Sequence, residues 1–77
     1  MSKNGKPINV LVVDDSELIG EKIRNILVET DLVSTIRQAR SVKEGLELAN
    51  KQWPDLIFLD MKLPDGSGLD VLIPLRK

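Results

Sequence analysis

The amino-acid sequence predicts an α/β fold in which three parallel strands alternate with three helices in the order βαβαβα. Two short segments, residues 8–13 and 56–59, are almost entirely apolar, as is typical of strands that are covered on both faces of a parallel sheet. Apolar residues at helical spacing follow each predicted strand. This alternation favours right-handed crossovers and therefore a parallel sheet.

The first strand and helix are indicated by a change in the spacing of apolar residues. Residues 1–7 are largely polar, and we expect them to form a flexible leader before a strand over residues 8–13. A helix is then predicted to about Glu29, with Asp15 or Ser16 as its N-cap. Gly20 within this helix lowers its stability by about 1 kcal/mol relative to Ala. Its apolar stripe consists of Ile19, Ile23, Ile26 and Leu27.

The second strand is predicted from a mixture of apolar and polar residues, and the second helix from a capping pattern at its start. Residues 32–39 mix apolar with polar side chains, which predicts a less buried strand at an edge of the sheet. Ser41 and Glu44 have the spacing of a capping box, so a second helix is expected from there to about Lys51. One face of this helix carries Val42, Gly45, Leu46 and Ala49.

The third strand and helix are separated by a predicted turn. A break at residues 53–55 precedes the strand at 56–59, and residues 63–68 contain the Pro, Asp and Gly of a tight turn. A third helix is predicted from about Ser67, and Pro74 is expected to kink or end it. The predicted architecture is thus a partial flavodoxin-like, doubly wound parallel sheet with strand order 2-1-3.

Three acidic residues follow the first and third predicted strands. In a 2-1-3 sheet these strands are neighbours, so Asp14, Asp15 and Asp60 should meet at the edge where such sheets bind ligands. Carboxylates this close repel one another unless they protonate, separate or share a cation, and an all-oxygen site suits Mg²⁺. Each acid alone has an ordinary explanation, since Asp15 could cap a helix and Asp60 could be a solvated loop residue.

Composition and charge narrow the possible partners. There are 11 basic and 12 acidic residues, a net charge of −1, and only Trp53 and Phe58 are aromatic, so this segment is not expected to bind nucleic acid. The longest apolar run, residues 10–13, is too short to span a membrane. With neither Cys nor His, the chain lacks disulfides and zinc as sources of stability, which leaves oligomerisation.

Residues 10–16 and 55–68 together resemble the receiver domain of bacterial two-component response regulators. The acidic pair, the third acid and the Asp-x-x-x-Pro-x-Gly turn fall in register with that family. The resemblance implies a cytoplasmic, non-enzymatic signalling domain in which Asp60 takes a phosphoryl group from a histidine kinase or phosphotransfer protein. It also implies that Asp15 ligates Mg²⁺ directly, that Asp14 acts mainly through bound water, and that the backbone carbonyl of Lys62 completes the protein ligands beside Asp60.

The resemblance also indicates how much of a receiver domain this sequence contains. Receiver domains have five strands, so residues 8–77 correspond to the N-terminal part of one, truncated after the third helix. The hydroxyl, lysine and aromatic switch residues of the family have no counterpart here. A half-receiver that acts only as a dimerisation or interaction module is therefore an alternative. A phosphohydrolase of the haloacid dehalogenase type ranks last, because it calls for Asp-x-Asp where this chain has Asp14-Asp15-Ser16.

The third predicted strand leads to an expectation about assembly. Residues 56–59 would form an outer, apolar edge without Lys or Pro to discourage pairing. We expect a homo-oligomer whose interface includes Ile57, Phe58 and the third helix, with Pro74 allowing the last residues to exchange between copies.

Overall fold

Residues 7–75 are described by the computed structural model of the chain, and they form one three-stranded parallel sheet with three helices. The strand order is β2-β1-β3, so the predicted architecture and order are confirmed. The predicted leader lies outside the described residues except for Pro7, which is exposed. The elements in chain order are β1 (Ile8–Val13), α1 (Glu17–Val28), β2 (Val33–Ala39), α2 (Val42–Lys51), β3 (Leu56–Leu59) and α3 (Leu69–Leu75).

The central strand β1 is buried on both faces, as its apolar sequence predicts. Residues 10–13 are at most 1% exposed. On one face, Leu11 and Val13 pack with Ala39, Ala49 and Val71 into a core to which α2 and α3 contribute. Full burial of a Val or Leu side chain stabilises a fold by roughly 1.5–3 kcal/mol, so β1 provides much of the stability of this small sheet.

The apolar stripe predicted for helix α1 is less buried than such a stripe usually is. The N-cap of α1 is Ser16, whose Oγ accepts a hydrogen bond from the Ile19 amide at 3.2 Å. The predicted stripe is only partly buried, because Ile19 is 41% and Ile26 is 65% exposed. The buried residue of α1 is Gly20, and among the described elements the helix packs mainly on β2, which leaves one side of the stripe without a neighbour.

Strand β2 and helix α2 follow the prediction closely. The strand begins at Val33 rather than at residue 32, after Asp31 with its positive φ of 65°. Ser41 caps α2 by accepting from the Glu44 amide at 3.1 Å. The Glu44 carboxylate reaches back to the Arg40 amide at 2.9 Å, one residue before the usual partner in a capping box.

Helix α3 starts two residues later than predicted and includes Pro74. The hydroxyl of Ser67 accepts from the Leu69 amide at 3.1 Å, and the Asp70 carboxylate accepts from the Ser67 amide at 3.0 Å. Pro74 lies inside α3, which is described as far as Leu75, so the helix does not stop at this proline. Within residues 7–75, no helix has the length and apolarity needed to cross a membrane.

Candidate metal and phosphoacceptor site

The three predicted acids meet at the carboxyl ends of β1 and β3. Val13 and Leu59 are the last register partners of the two strands, and the Asp60 amide donates to the Val13 carbonyl at 2.9 Å. The Asp14 amide donates to the Ala39 carbonyl of β2 at 2.9 Å. As a result, carboxylate oxygens of Asp14, Asp15 and Asp60 lie within 4.8 Å of one another.

Local hydrogen bonds orient two of the carboxylates. Asp14 Oδ1 accepts from the Ser16 amide at 2.9 Å, and Asp60 Oδ1 accepts from the Lys62 amide at 3.1 Å. Both are contacts with the residue two positions further on, the pattern of an Asx turn. Each turn occupies one carboxylate oxygen and leaves a second oxygen for another ligand.

The donor set of this cluster fits a hard divalent cation. Three carboxylates within 4.8 Å repel one another in the absence of a counter-charge, and Mg²⁺ prefers oxygen ligands and retains several waters. Asp14 and Asp60 are half-buried, while Asp15 is exposed, so the site is open to solvent on one side. A cleft of about 150 Å³ adjoins it and is lined in part by Asp14, Phe58 and Asp60.

The loop between β3 and α3 has the predicted tight turn. Leu63 and Gly66 form an antiparallel bridge, and Gly66 has a φ of 153°, which disfavours any residue with a side chain. A Cβ on Gly68 would lie 2.6 Å from the Asp60 carbonyl oxygen, so glycine allows the start of α3 to pack against the backbone at Asp60. Lys62 contacts the cluster through its amide, and the ligand role of its carbonyl stays a prediction.

The same loop contains a residue whose role was missed from the sequence. The two carboxylate oxygens of Asp65 accept from the Val42 and Lys43 amides at 2.7 and 3.1 Å, at the start of α2. These amides lower the pKa of Asp65 from its ordinary value of 3.8. The sequence marks Asp65 only as a turn residue, because its partners lie more than 20 positions away.

A second missed residue lies beside the loop that carries Asp14 and Asp15. Gln38 of β2 donates through Nε2 to the main-chain carbonyls of Asp14 and Ser16. Its neighbour Arg37 points to the other face of the sheet and donates to the Leu48 and Gln52 carbonyls near the end of α2. A polar residue in an alternating edge strand gives no sequence signal for such contacts.

Known proteins with similar sequences include a sensory transduction protein and a response regulator of bacteria. The chain is 37% identical to the sensory transduction protein LytT of Bacillus anthracis over 70 residues, which cover 91% of this chain and 28% of LytT. It is 30% identical to the nitrate/nitrite response regulator protein NarL of Escherichia coli K12 over 74 residues, which cover 96% of this chain and 34% of NarL. The chain thus spans about a third or less of these relatives.

A solved structure and a family match agree with these relatives. The response regulator MaeR bound to beryllium trifluoride superposes with a TM-score of 0.83 at 30% identity, covering 90% of this chain and 57% of MaeR. Residues 10–77 match the family described as the response regulator receiver domain. Since the match covers most of the sequence and the fold and the acidic cluster agree with it, the chain belongs to the receiver-domain family of two-component response regulators.

Proposed function

We propose that the chain accepts a phosphoryl group on Asp60 from a histidine kinase or a phosphotransfer protein, with Mg²⁺ bound beside it. The observation that carries this proposal is the convergence of three carboxylates within 4.8 Å at the ends of β1 and β3. Family membership supports the phosphoryl-accepting role. The proposal makes the chain a signalling component, with self-phosphorylation and autodephosphorylation as its only catalytic steps.

Asp60 is the proposed nucleophile because of its position and its hydrogen bonding. The Lys62 amide holds Asp60 Oδ1, which leaves the other carboxylate oxygen to attack phosphorus. That oxygen forms a bond to phosphorus while the bond from phosphorus to the donor histidine nitrogen breaks, and the electron pair stays on the imidazole. The pairing of the Asp60 amide with the Val13 carbonyl fixes the backbone of the nucleophile during this exchange.

The remaining acids are proposed as the metal ligands. Asp15 and Asp60 would ligate Mg²⁺ directly together with the Lys62 carbonyl. Asp14, one of whose oxygens already accepts from the Ser16 amide, would act mainly through bound water. Bound Mg²⁺ supplies positive charge that offsets repulsion between the incoming phosphoryl oxygens and these carboxylates.

The proposed donor also sets the location and the other partners. A histidine kinase transfers its phosphoryl group inside the cell, so the proposal places the chain in the cytoplasm. Residues 8–77, as the N-terminal part of a receiver domain, are proposed to contact neither nucleic acid nor a membrane. The balance of 11 basic and 12 acidic residues supports this part of the proposal.

A Mg²⁺ titration tests the metal site. Backbone amide chemical shifts should change most at Asp14, Asp15, Asp60 and Lys62, with weak affinity, because the site is partly exposed. Asp15→Asn should weaken binding, whereas Asp31→Asn, which removes the same charge in the turn after α1, should leave it unchanged. Shifts that are uniform or absent at millimolar Mg²⁺ would show that the cluster holds no cation.

Phosphorylation with labelled acetyl phosphate tests the acceptor. Label should appear on Asp60, and Asp60→Asn should abolish it. Beryllium trifluoride, which MaeR binds, should perturb the same amides as the phosphoryl group. Undiminished label in Asp60→Asn would refute the assignment, and Asp31→Asn is again the charge-matched control.

A second proposed role is self-association through β3. Among the described strands β3 pairs only with β1, so its outer edge presents unpaired backbone groups. An apolar cleft of about 200 Å³ lies beside this strand. We propose that a second copy of the chain covers this edge, and that this association is compatible with phosphoryl transfer.

A further inference from the structure

The side chain of Gln38 crosses from β2 to the loop between β1 and α1. Its Nε2 donates to the Asp14 carbonyl at 2.9 Å and to the Ser16 carbonyl at 3.2 Å. An amide nitrogen has two hydrogens, so these two contacts use its full donor capacity. The first carbonyl belongs to the Asp14–Asp15 peptide and the second to the Ser16–Glu17 peptide, so one side chain holds main-chain groups before and after a proposed metal ligand.

The position of this amide depends on the glycine in α1. Gly20 is buried, and a Cβ built on it would lie 2.1 Å from Gln38 Oε1 and 2.7 Å from Nε2. Any larger residue at position 20 would therefore displace the Gln38 side chain. Glycine is an unfavourable residue in a helix, and the contact with Gln38 gives a physical reason for it at this position.

Both ends of the Asp14–Ser16 loop are joined to other main-chain groups, but its middle is exposed. The Asp14 amide bonds to Ala39 of β2, and the Ser16 carbonyl accepts from the Gly20 amide at 3.1 Å. Asp15 between them is exposed to solvent. Gln38 is the side chain from outside the loop that bridges this segment, so its loss should loosen Asp15 relative to Asp14 and Asp60.

We propose that Gln38 is a positioning residue that holds the Asp14–Asp15–Ser16 loop in the geometry required to bind a divalent cation. Gly20 is the complementary residue, because its missing side chain leaves room for the amide. The proposal concerns the effect of Gln38 on the loop and rests on the proposed Mg²⁺ site for its effect on affinity. Loss of partners that orient metal ligands typically weakens metal binding by about 10–100-fold.

Gln38→Met tests the proposal with Mg²⁺ as the probe. Methionine has a similar length but cannot donate, so the Kd for Mg²⁺ should rise by about tenfold, the lower end of that range for an exposed site. Arg37→Met is the matched control, since it also removes hydrogen bonds to two main-chain carbonyls from the adjacent residue, at the opposite face of the sheet. It should leave the Kd unchanged even if it destabilises the fold.

A second readout does not require the metal. Without Mg²⁺, hydrogen exchange of the Ser16 amide, which donates to Asp14 Oδ1, should accelerate in Gln38→Met and not in Arg37→Met. If the wild-type chain fails to bind Mg²⁺, the proposed function is wrong, and this exchange still decides the role of Gln38. Equal exchange in the two variants, or an equal change in Kd, would overturn the proposal.

Substitution of Gly20 gives an independent route if Gln38→Met folds poorly. Gly20→Ala raises intrinsic helix propensity, so a purely structural role predicts a protein that is unchanged or more stable. The proposal instead predicts faster exchange of the Ser16 amide and weaker Mg²⁺ binding, because the new methyl displaces the Gln38 side-chain amide. In a Gln38→Ala background, Gly20→Ala should add no further loss, and full additivity of the two changes would count against the coupling.

Discussion

One exposed carboxylate, that of Asp65, joins the β3–α3 loop to helix α2. Its oxygens accept from the first two amides of the helix, Val42 and Lys43, which have no partner within α2 itself. Negative charge at a helix N-terminus is also favoured by the helix dipole. Because the same loop carries Lys62 and follows Asp60, this contact holds the part of the proposed site that the loop forms.

The lowered pKa of Asp65 predicts a specific pH dependence. The Val42 and Lys43 amides stabilise the charged form, so the contribution of Asp65 is present above the ordinary value of 3.8 and is lost as pH falls through the lower pKa of the folded state. Asp65→Asn keeps an acceptor but does not titrate. Urea unfolding of both proteins, from neutral pH to below 3.8, should therefore show a stability difference that shrinks towards acid.

Asp31→Asn is the control for that experiment, since an Asn tolerates the positive φ of this exposed position. It should change stability little at any pH. A stability difference between wild type and Asp65→Asn that is constant over the whole pH range would show that the charge of Asp65 plays no part.

At the residue scale, the sequence reveals the groups that end buried strands and not those that act across the fold. Asp14, Asp15 and Asp60 could be placed because strand order and the ends of apolar segments determine where they meet. Gln38 and Asp65 could not, because each acts on backbone groups more than 20 positions away. Such contacts depend on how β2 and the β3–α3 loop sit against their neighbours, for which a single sequence contains no periodic signal.

Helix α2 packs on the sheet through small residues. Gly45 and Ala49 are buried, and a Cβ on Gly45 would lie 3.3 Å from methyl groups of Val13 and Val71. That separation is tighter than ordinary van der Waals contact. The helix therefore approaches β1 and α3 more closely than a side chain at position 45 would readily allow.

Substitution of Gly45 tests this close approach. Gly45→Val should destabilise the fold by roughly 1–3 kcal/mol, because a β-branched side chain cannot fit without shifting Val13 or Val71. Glu47→Val introduces the same residue on the exposed face of α2 and should cost less than about 1 kcal/mol, since it alters only helix propensity. Denaturant unfolding of the two variants measures the difference, and equal losses would indicate that the interface has room.

At the element scale, local signals predicted the elements better than their orientation. The sequence predicts the capping residues Ser16 and Ser41 and the buried strand β1, because caps and apolar runs are properties of adjacent residues. The sequence does not predict the exposure of Ile26, because that exposure depends on which elements pack beside α1. Pro74 lies at the sixth position of a seven-residue helix, so it removes a hydrogen bond only near the last described residue.

Within residues 7–75, the edge of the sheet at β3 has no neighbouring strand. β3 is an outer strand, and one cleft beside it is lined by apolar side chains of the residues before β3, of β3 itself and of α3. Trp53 on this side is 60% exposed, and Leu56 and Leu72 are 40% and 38% exposed. A surface with both unpaired backbone groups and apolar side chains is suited to strand pairing with another copy.

Self-association through this surface is testable in solution. Two copies that pair along β3 about a two-fold axis would satisfy the edge and cover Ile57, Phe58 and the exposed side of α3, so sedimentation at micromolar concentration should show a dimer or a larger species. Leu56→Lys places a charge on the edge strand where burial is incomplete, and it should shift the protein towards monomer. Ile57→Lys should do the same if circular dichroism shows that it folds.

Val28→Lys puts the same charge on an exposed position of α1 and should leave the association unchanged. A folded monomer that responds to none of these changes would mean that the three-stranded sheet is stable with its edge in water, and that β3 plays no part in assembly.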